Sequence, residues 1–324
     1  MTLGRFARAG LVAAVVTAGV RAAAERQPPG GAERWTRTNH RGEPISLLEG
    51  PAVTVGLTAG ALAAGKGRGS LAGAVATAGA GAFGLVDDLG EDRSTRTKGL
   101  RGHLGALAEG RLTTGGLKVL GIGATSLAAA AAGTRRTGSV PGWVADVAVN
   151  GALIAGTANL LNLLDLRPGR ALKAAGVLAA VPAGGWLAAG ASGAVLGAGA
   201  AAWQRDLGEG DMLGDGGANA LGALVGTRLA LGLPRLARIS ALAGVVALTL
   251  ASEKVSFSRV IAETPWLKAA DDLGRRPAAG SPTAGSQAAD TQPTGARAAD
   301  RGAAATPAGE RGAATAPAPV GPSS

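Results

Sequence analysis

Apolar positions along the chain gather into blocks of about 15 to 20 residues with almost no charge, and Lys, Arg, Asp and Glu crowd between the blocks. A bilayer demands this patterning, because backbone polar groups in hydrocarbon have no partner except within helices. The pattern predicts an all-α integral membrane protein, a bundle of about nine to ten transmembrane helices. Spans are expected at about 9–24, 51–65, 70–86, 116–132, 143–163, 171–187, 188–203, 217–233 and 236–252. Only "VPAGGWLAAGASG" separates the sixth block from the seventh, so a tight turn is expected there. The first block, "AGLVAAVVTAGV", lies between Arg8 and "RAAAE" and also has the form of a secretory signal peptide.

Nine crossings put loops 25–50, 87–115, 164–170, 204–216 and everything after 253 on one side. That side carries most of the basic residues, among them Arg34, Arg37, Arg93, Lys98, Arg101, Arg167 and Lys173, which makes it the cytoplasm of a multi-pass cell-membrane protein. Arg228, inside the eighth block, is expected to snorkel to the outer surface. The membrane domain is expected over residues 1–253. Residues 254–275 mix apolar and charged positions as an amphipathic segment on the cytoplasmic face does. Residues 276–324 are Ala-, Pro- and Gly-rich and are expected to be a disordered cytoplasmic tail.

Composition then narrows the chemistry. The chain has no cysteine and two histidines, His40 and His103, which excludes thiolate chemistry and histidine-rich metal sites. Carboxylates remain as cation ligands, and oxygen-only ligation points to Mg2+ or a similar hard ion. The formal charge of +10 falls in loops beside spans, where lipid headgroups account for it without nucleic acid.

Three loops on the expected cytoplasmic face carry candidate chemistry. "GLVDDLGEDRSTRTKGL" ends the third span with Asp87 and Asp88 and continues to Lys98, so groups for a cation and an anion share one loop. "TANLLNLLDLRPGRALK" spaces Asn159, Asn162 and Asp165 by three, one helical face at the membrane border. "GEGDMLGDGGANALG" sets Asp211 and Asp215 among glycines ahead of a helix start that suits a phosphate. The loop "RWTRTNHRGEPISLLEGP", with His40 and Arg41, is placed to help close such a site.

At these residues the sequence resembles the polyprenyl-phosphate N-acetylhexosamine-1-phosphate transferase superfamily, which includes phospho-N-acetylmuramoyl-pentapeptide transferase. The likeness covers roughly residues 10–255 and rests on "VDDLGEDRSTRTKGL", "NLLNLLD" and "MLGDGGANALG". It implies a Mg2+-dependent glycosyl-1-phosphate transferase of cell-envelope polymer synthesis. Such an enzyme moves a sugar-1-phosphate from a UDP-sugar to membrane polyprenyl phosphate (undecaprenyl or decaprenyl) and releases UMP. By position, Asp87, Asp88 and Asp165 would be catalytic and Asp215 with Asp88 would hold the metal. Lys98, Arg101, Asn159 and Asn162 would contact phosphates. Family members are often dimers, which leaves room for a homodimer.

The chain departs from the family where Leu166 follows Asp165 and Pro168 stands in place of a second aspartate, and no histidine follows His103. "EKVSFSRVIAE" occupies the position of the family's histidine-rich loop, with Lys254 and Arg259 as substitutes for its phosphate contacts. The rival readings are a non-catalytic relative that binds lipid-linked sugars or envelope-synthesis partners, and a transporter. Against the latter, no pair of broken spans recurs in two matching halves.

Overall fold

The computed structural model describes residues 2–90 and 114–277, without the side chains of 185–187. The described residues are all-α apart from one small hairpin, and each predicted apolar block except 171–187 falls on a single helix. In order these are α1 (Thr2–Arg26), α2 (Glu49–Ala63), α3 (Arg68–Gly90), α4 (Thr114–Gly133) and α5 (Val140–Leu164). They continue as α6 (Arg170–Ala180), α7 (Gly185–Leu207), α8 (Gly214–Gly232) and α9 (Arg235–Ser252), and two short helices follow, α10 (Phe257–Glu263) and α11 (Pro265–Asp272). Five of them, α1, α3, α4, α5 and α9, are long and apolar enough to cross a membrane, which points to a membrane protein.

Local chemistry sets the boundaries. Ser139 caps α5 by accepting the Gly142 N–H at 3.3 Å, with Pro141 in the first turn where its missing N–H costs nothing. The block expected at 171–187 breaks early. Proline at 182 drives Val181 to an extended conformation (φ −56°, ψ 131°), so α6 stops at Ala180 after 11 residues. That is about 16 Å of helix, roughly half the hydrocarbon thickness.

Helix α8 is the axis of the bundle and is buried over nearly its whole length. Its glycines permit this: a Cβ at Gly222 would stand 2.5 Å from the Thr157 carbonyl oxygen of α5. The hairpin pairs β1 (Thr36–Thr38) antiparallel with β2 (Pro44–Ser46). It is tied to the start of α8, where Ser46 N–H donates to Gly210 O at 3.1 Å and Met212 N–H donates to Ser46 O at 2.9 Å. Consecutive helices run in opposite directions. The ends joined by Arg21–Asp211, Asp88–Asp215 and Gly169–Asp206 therefore lie together, and the hairpin covers them.

Candidate active site

The site forms where the last turn of α3 meets the first turn of α8. Gly214 turns the chain with φ +58°, and a Cβ there would sit 3.0 Å from an Asp88 carboxylate oxygen, so glycine is required by both conformation and space. Past that turn the first N–H groups of α8 point at Asp88. Its Oδ1 accepts Asp215 N–H at 3.0 Å and its Oδ2 accepts Gly216 N–H at 2.8 Å. Asp88 thus caps α8 from another helix, where the dipole favours negative charge. Lys118, one turn into α4, donates through Nζ to Asp87 Oδ2 at 2.6 Å and to Asp215 Oδ2 at 2.5 Å.

These groups open on a cleft of about 1040 Å³ bordered by Arg34, Arg37, Asp87, Asp88, Asp165 and Asp215. Arg37 reaches in from β1 and donates to the Asp88 carbonyl at 2.6 Å. A smaller cavity of about 400 Å³ adjoins it, lined by Lys118, Asn159, Asn162 and Asn219. Asn162 borders both spaces, so the three-residue spacing on α5 distributes Asn159 to one cavity and Asp165 to the other. Burial, followed by the charges of Asp206, Asp215 and Asp88, holds the Asp165 carboxyl well above the usual carboxylate range.

The other predicted residues lie elsewhere. Asp211, next to Asp215 in the glycine-rich segment, turns away and forms a buried two-bond pair with Arg21 at 2.7 Å each. His40 and Arg41 face the buried Glu209, Arg41 at 2.9 Å and His40 at 3.9 Å, and not the carboxylates. Burial, then the charge of Arg167, pushes the His40 pKa down. Lys254 is exposed, and Arg259 is exposed and paired with Glu263 at 2.8 Å; neither borders the two cavities. Lys98, Arg101 and His103 lie outside the described residues.

Arg228 does not snorkel. It is 4% exposed and donates to Ser192 Oγ at 2.7 Å, to Leu178 O at 3.1 Å and to Val181 O, the carbonyls left open where α6 ends early. Lys118 and Arg37 join the site without having been among its expected residues. The signal for Lys118 was present, because a single ammonium inside the apolar block "GGLKVLGIGATSL" needs an interior partner.

The donor set fits magnesium in kind, with carboxylates and carboxamides and neither sulfur nor imidazole. Among the described residues no three acidic or histidine side chains converge on one point. Magnesium is ordinarily held by one or two carboxylates together with water and substrate phosphates, and Asp88 and Asp215 both border the cleft. No protein-family model and no curated protein matches this chain. The family resemblance therefore rests on three short sequence motifs alone.

Proposed function

We propose that the chain transfers a sugar-1-phosphate from a UDP-sugar to polyprenyl phosphate at this cleft, on the cytoplasmic side of the cell membrane, and releases UMP. The observation that carries the reading is the meeting of all three motifs at one cleft. Asp87 and Asp88 come from α3, Asn162 and Asp165 from the end of α5, and Asp215 from the start of α8. An acidic pair at a helix end is ordinary solvation, whereas three such ends converging with a lysine are suited to binding two phosphate esters around a cation.

In the reaction, an oxygen of the lipid phosphate attacks the sugar-bearing phosphorus of the UDP-sugar. The bond from that phosphorus to the bridging oxygen breaks, and UMP leaves with the electron pair. Two backbone N–H bonds fix Asp88 yet leave each of its oxygens a lone pair to take the proton of a monoprotonated lipid phosphate. Lys118 neutralises Asp87 and Asp215 and so reduces their repulsion of the incoming anions. Arg34 and Arg37 border the cleft from the hairpin side, where a nucleotide phosphate would enter. Bound Mg2+ would supply Lewis-acid stabilisation of the charge on the leaving phosphate.

Purified chain given polyprenyl phosphate, Mg2+ and a panel of UDP-sugars should release UMP and form a lipid-linked sugar. The absence of any histidine after His103 favours a second reading, a relative that binds polyprenyl phosphate without turnover. Polyprenyl-phosphate binding that survives both Asp88→Asn and Asp215→Asn, with no UMP release by the unaltered chain, would select it.

A further inference from the structure

A groove of about 670 Å³ runs between α6 and α7, away from the carboxylate cleft, and its lining is largely apolar, including Leu172, Val177, Val195, Leu196 and Trp203. None of its lining residues borders the cleft: α8 presents Leu221 to the groove and Asp215 to the cleft. Missing side chains keep it open. A Cβ at Gly176 would meet nothing nearer than Leu196 Cδ2 at 3.8 Å, and one at Gly199 nothing nearer than Leu172 Cδ2 at 3.9 Å, both ordinary contacts. Val177 is 69% exposed and Leu196 43% exposed, so the groove faces outward from the bundle.

Its end on the carboxylate side is roofed by Ala270 of α11 and by Leu273. Helix α11 also exposes Trp266, as a helix lying in the membrane interface does. Lys173 stands at this same end of the groove. Asp271 is already occupied by Arg170 at 2.8 and 2.9 Å and by Arg275 at 2.8 Å. Lys173 Nζ takes only the Asp271 carbonyl, at 2.5 Å, and has no carboxylate at ion-pair distance among the described residues. An apolar trough on the outside of the helix bundle thus ends beside an ammonium whose one hydrogen-bond partner among the described residues is a backbone carbonyl.

We propose that this groove seats one acyl chain of an anionic phospholipid, with the lipid phosphate on Lys173. The inference rests on the membrane reading alone and not on the transferase reading. Zwitterionic lipids bring their own ammonium to the same phosphate, so an anionic headgroup complements Lys173 better. Polyprenyl phosphate is a less fitting occupant, because the groove shares no lining residue with the cleft that holds Asp88 and Asp215.

The test is native mass spectrometry of the full chain released from vesicles of phosphatidylcholine and phosphatidylglycerol. The chain should retain one phosphatidylglycerol. Gly199→Leu should remove it by filling the groove, while Gly199→Ala, which leaves the groove open, should keep it. Lys173→Gln, a change at the rim, should lower the preference for phosphatidylglycerol over phosphatidylcholine about tenfold, the scale of one charge-assisted bond. Equal retention by the unaltered chain and Lys173→Gln would overturn the proposal. Displacement of the retained lipid by equimolar polyprenyl phosphate would overturn it in favour of an acceptor groove.

Discussion

Asp88 and Asp215 are 127 positions apart in sequence, yet the carboxylate of the first accepts the backbone N–H of the second at 3.0 Å. This bond, with its neighbour to Gly216, fixes the end of α3 on the start of α8 and aims both side chains into one cleft. Asp88→Asn puts an amide N–H against a backbone N–H. It should cost about 1.5–2 kcal/mol of stability, the lower part of the range for hydrogen bonds to charged groups. UMP release should fall to background, and thermal unfolding in detergent together with the release assay separates the two effects.

Lys118 bridges Asp87 and Asp215. Lys118→Met leaves two carboxylates facing each other without a counter-charge, and turnover should drop about 100-fold or more, the effect of removing one stabilising charge from a transition state. Lys118→Arg, which keeps the charge at a different reach, should restore part of the rate. Initial rates at saturating substrate check both variants.

At the opposite end, Arg228 closes the carbonyls of Leu178 and Val181. Arg228→Leu leaves them without a donor in a low-dielectric setting and should destabilise the fold by about 3 kcal/mol. The cleft is remote from this change, so the rate per folded molecule should hold. A lowered unfolding temperature with unchanged specific activity is the expected pair of readings.

The segment after α9 is clasped to the bundle through Asp271 on Arg170 and through Arg276 on Glu43, at 2.8 Å each. Burial alone would raise the Asp271 pKa, but the hydrogen bond and charge of Arg170 outweigh it and hold the carboxyl below its usual value. A depressed carboxylate pKa stabilises the clasp at every pH above the unfolded value of about 3.9, and that stability is lost as pH falls through the lower folded value. Trypsin cleavage after Arg275 should therefore be slow near neutral pH. Asp271→Asn should make it fast there, and hydrogen exchange over the same segment should accelerate in the unaltered chain only below about pH 4.

Much of this architecture is legible in the sequence, because bilayer solvation writes helices as uncharged blocks. The start of α8 and the face of α5 carrying Asn162 and Asp165 follow from glycine placement and three-residue spacing alone. What escaped has a common cause: partners far apart in the chain. Arg228 reads as a cation near a span end until the early stop of α6 gives it carbonyls to bind. Asp211 and Asp215 look equivalent among their glycines, and Arg21 on α1 decides between them. The hairpin is too short to show a period, and its contribution to the cleft, Arg37, is indistinguishable from its neighbours Arg34 and Arg41 in a basic loop.

Exchange of labelled UMP into a UDP-sugar, in the presence of polyprenyl phosphate and Mg2+, tests the phosphotransfer reading most directly. The unaltered chain should incorporate label from at least one sugar in a broad panel, and Asp215→Asn should incorporate none. Absence of exchange from every sugar by a chain that is folded and lipid-embedded, or undiminished exchange in Asp215→Asn, would contradict it.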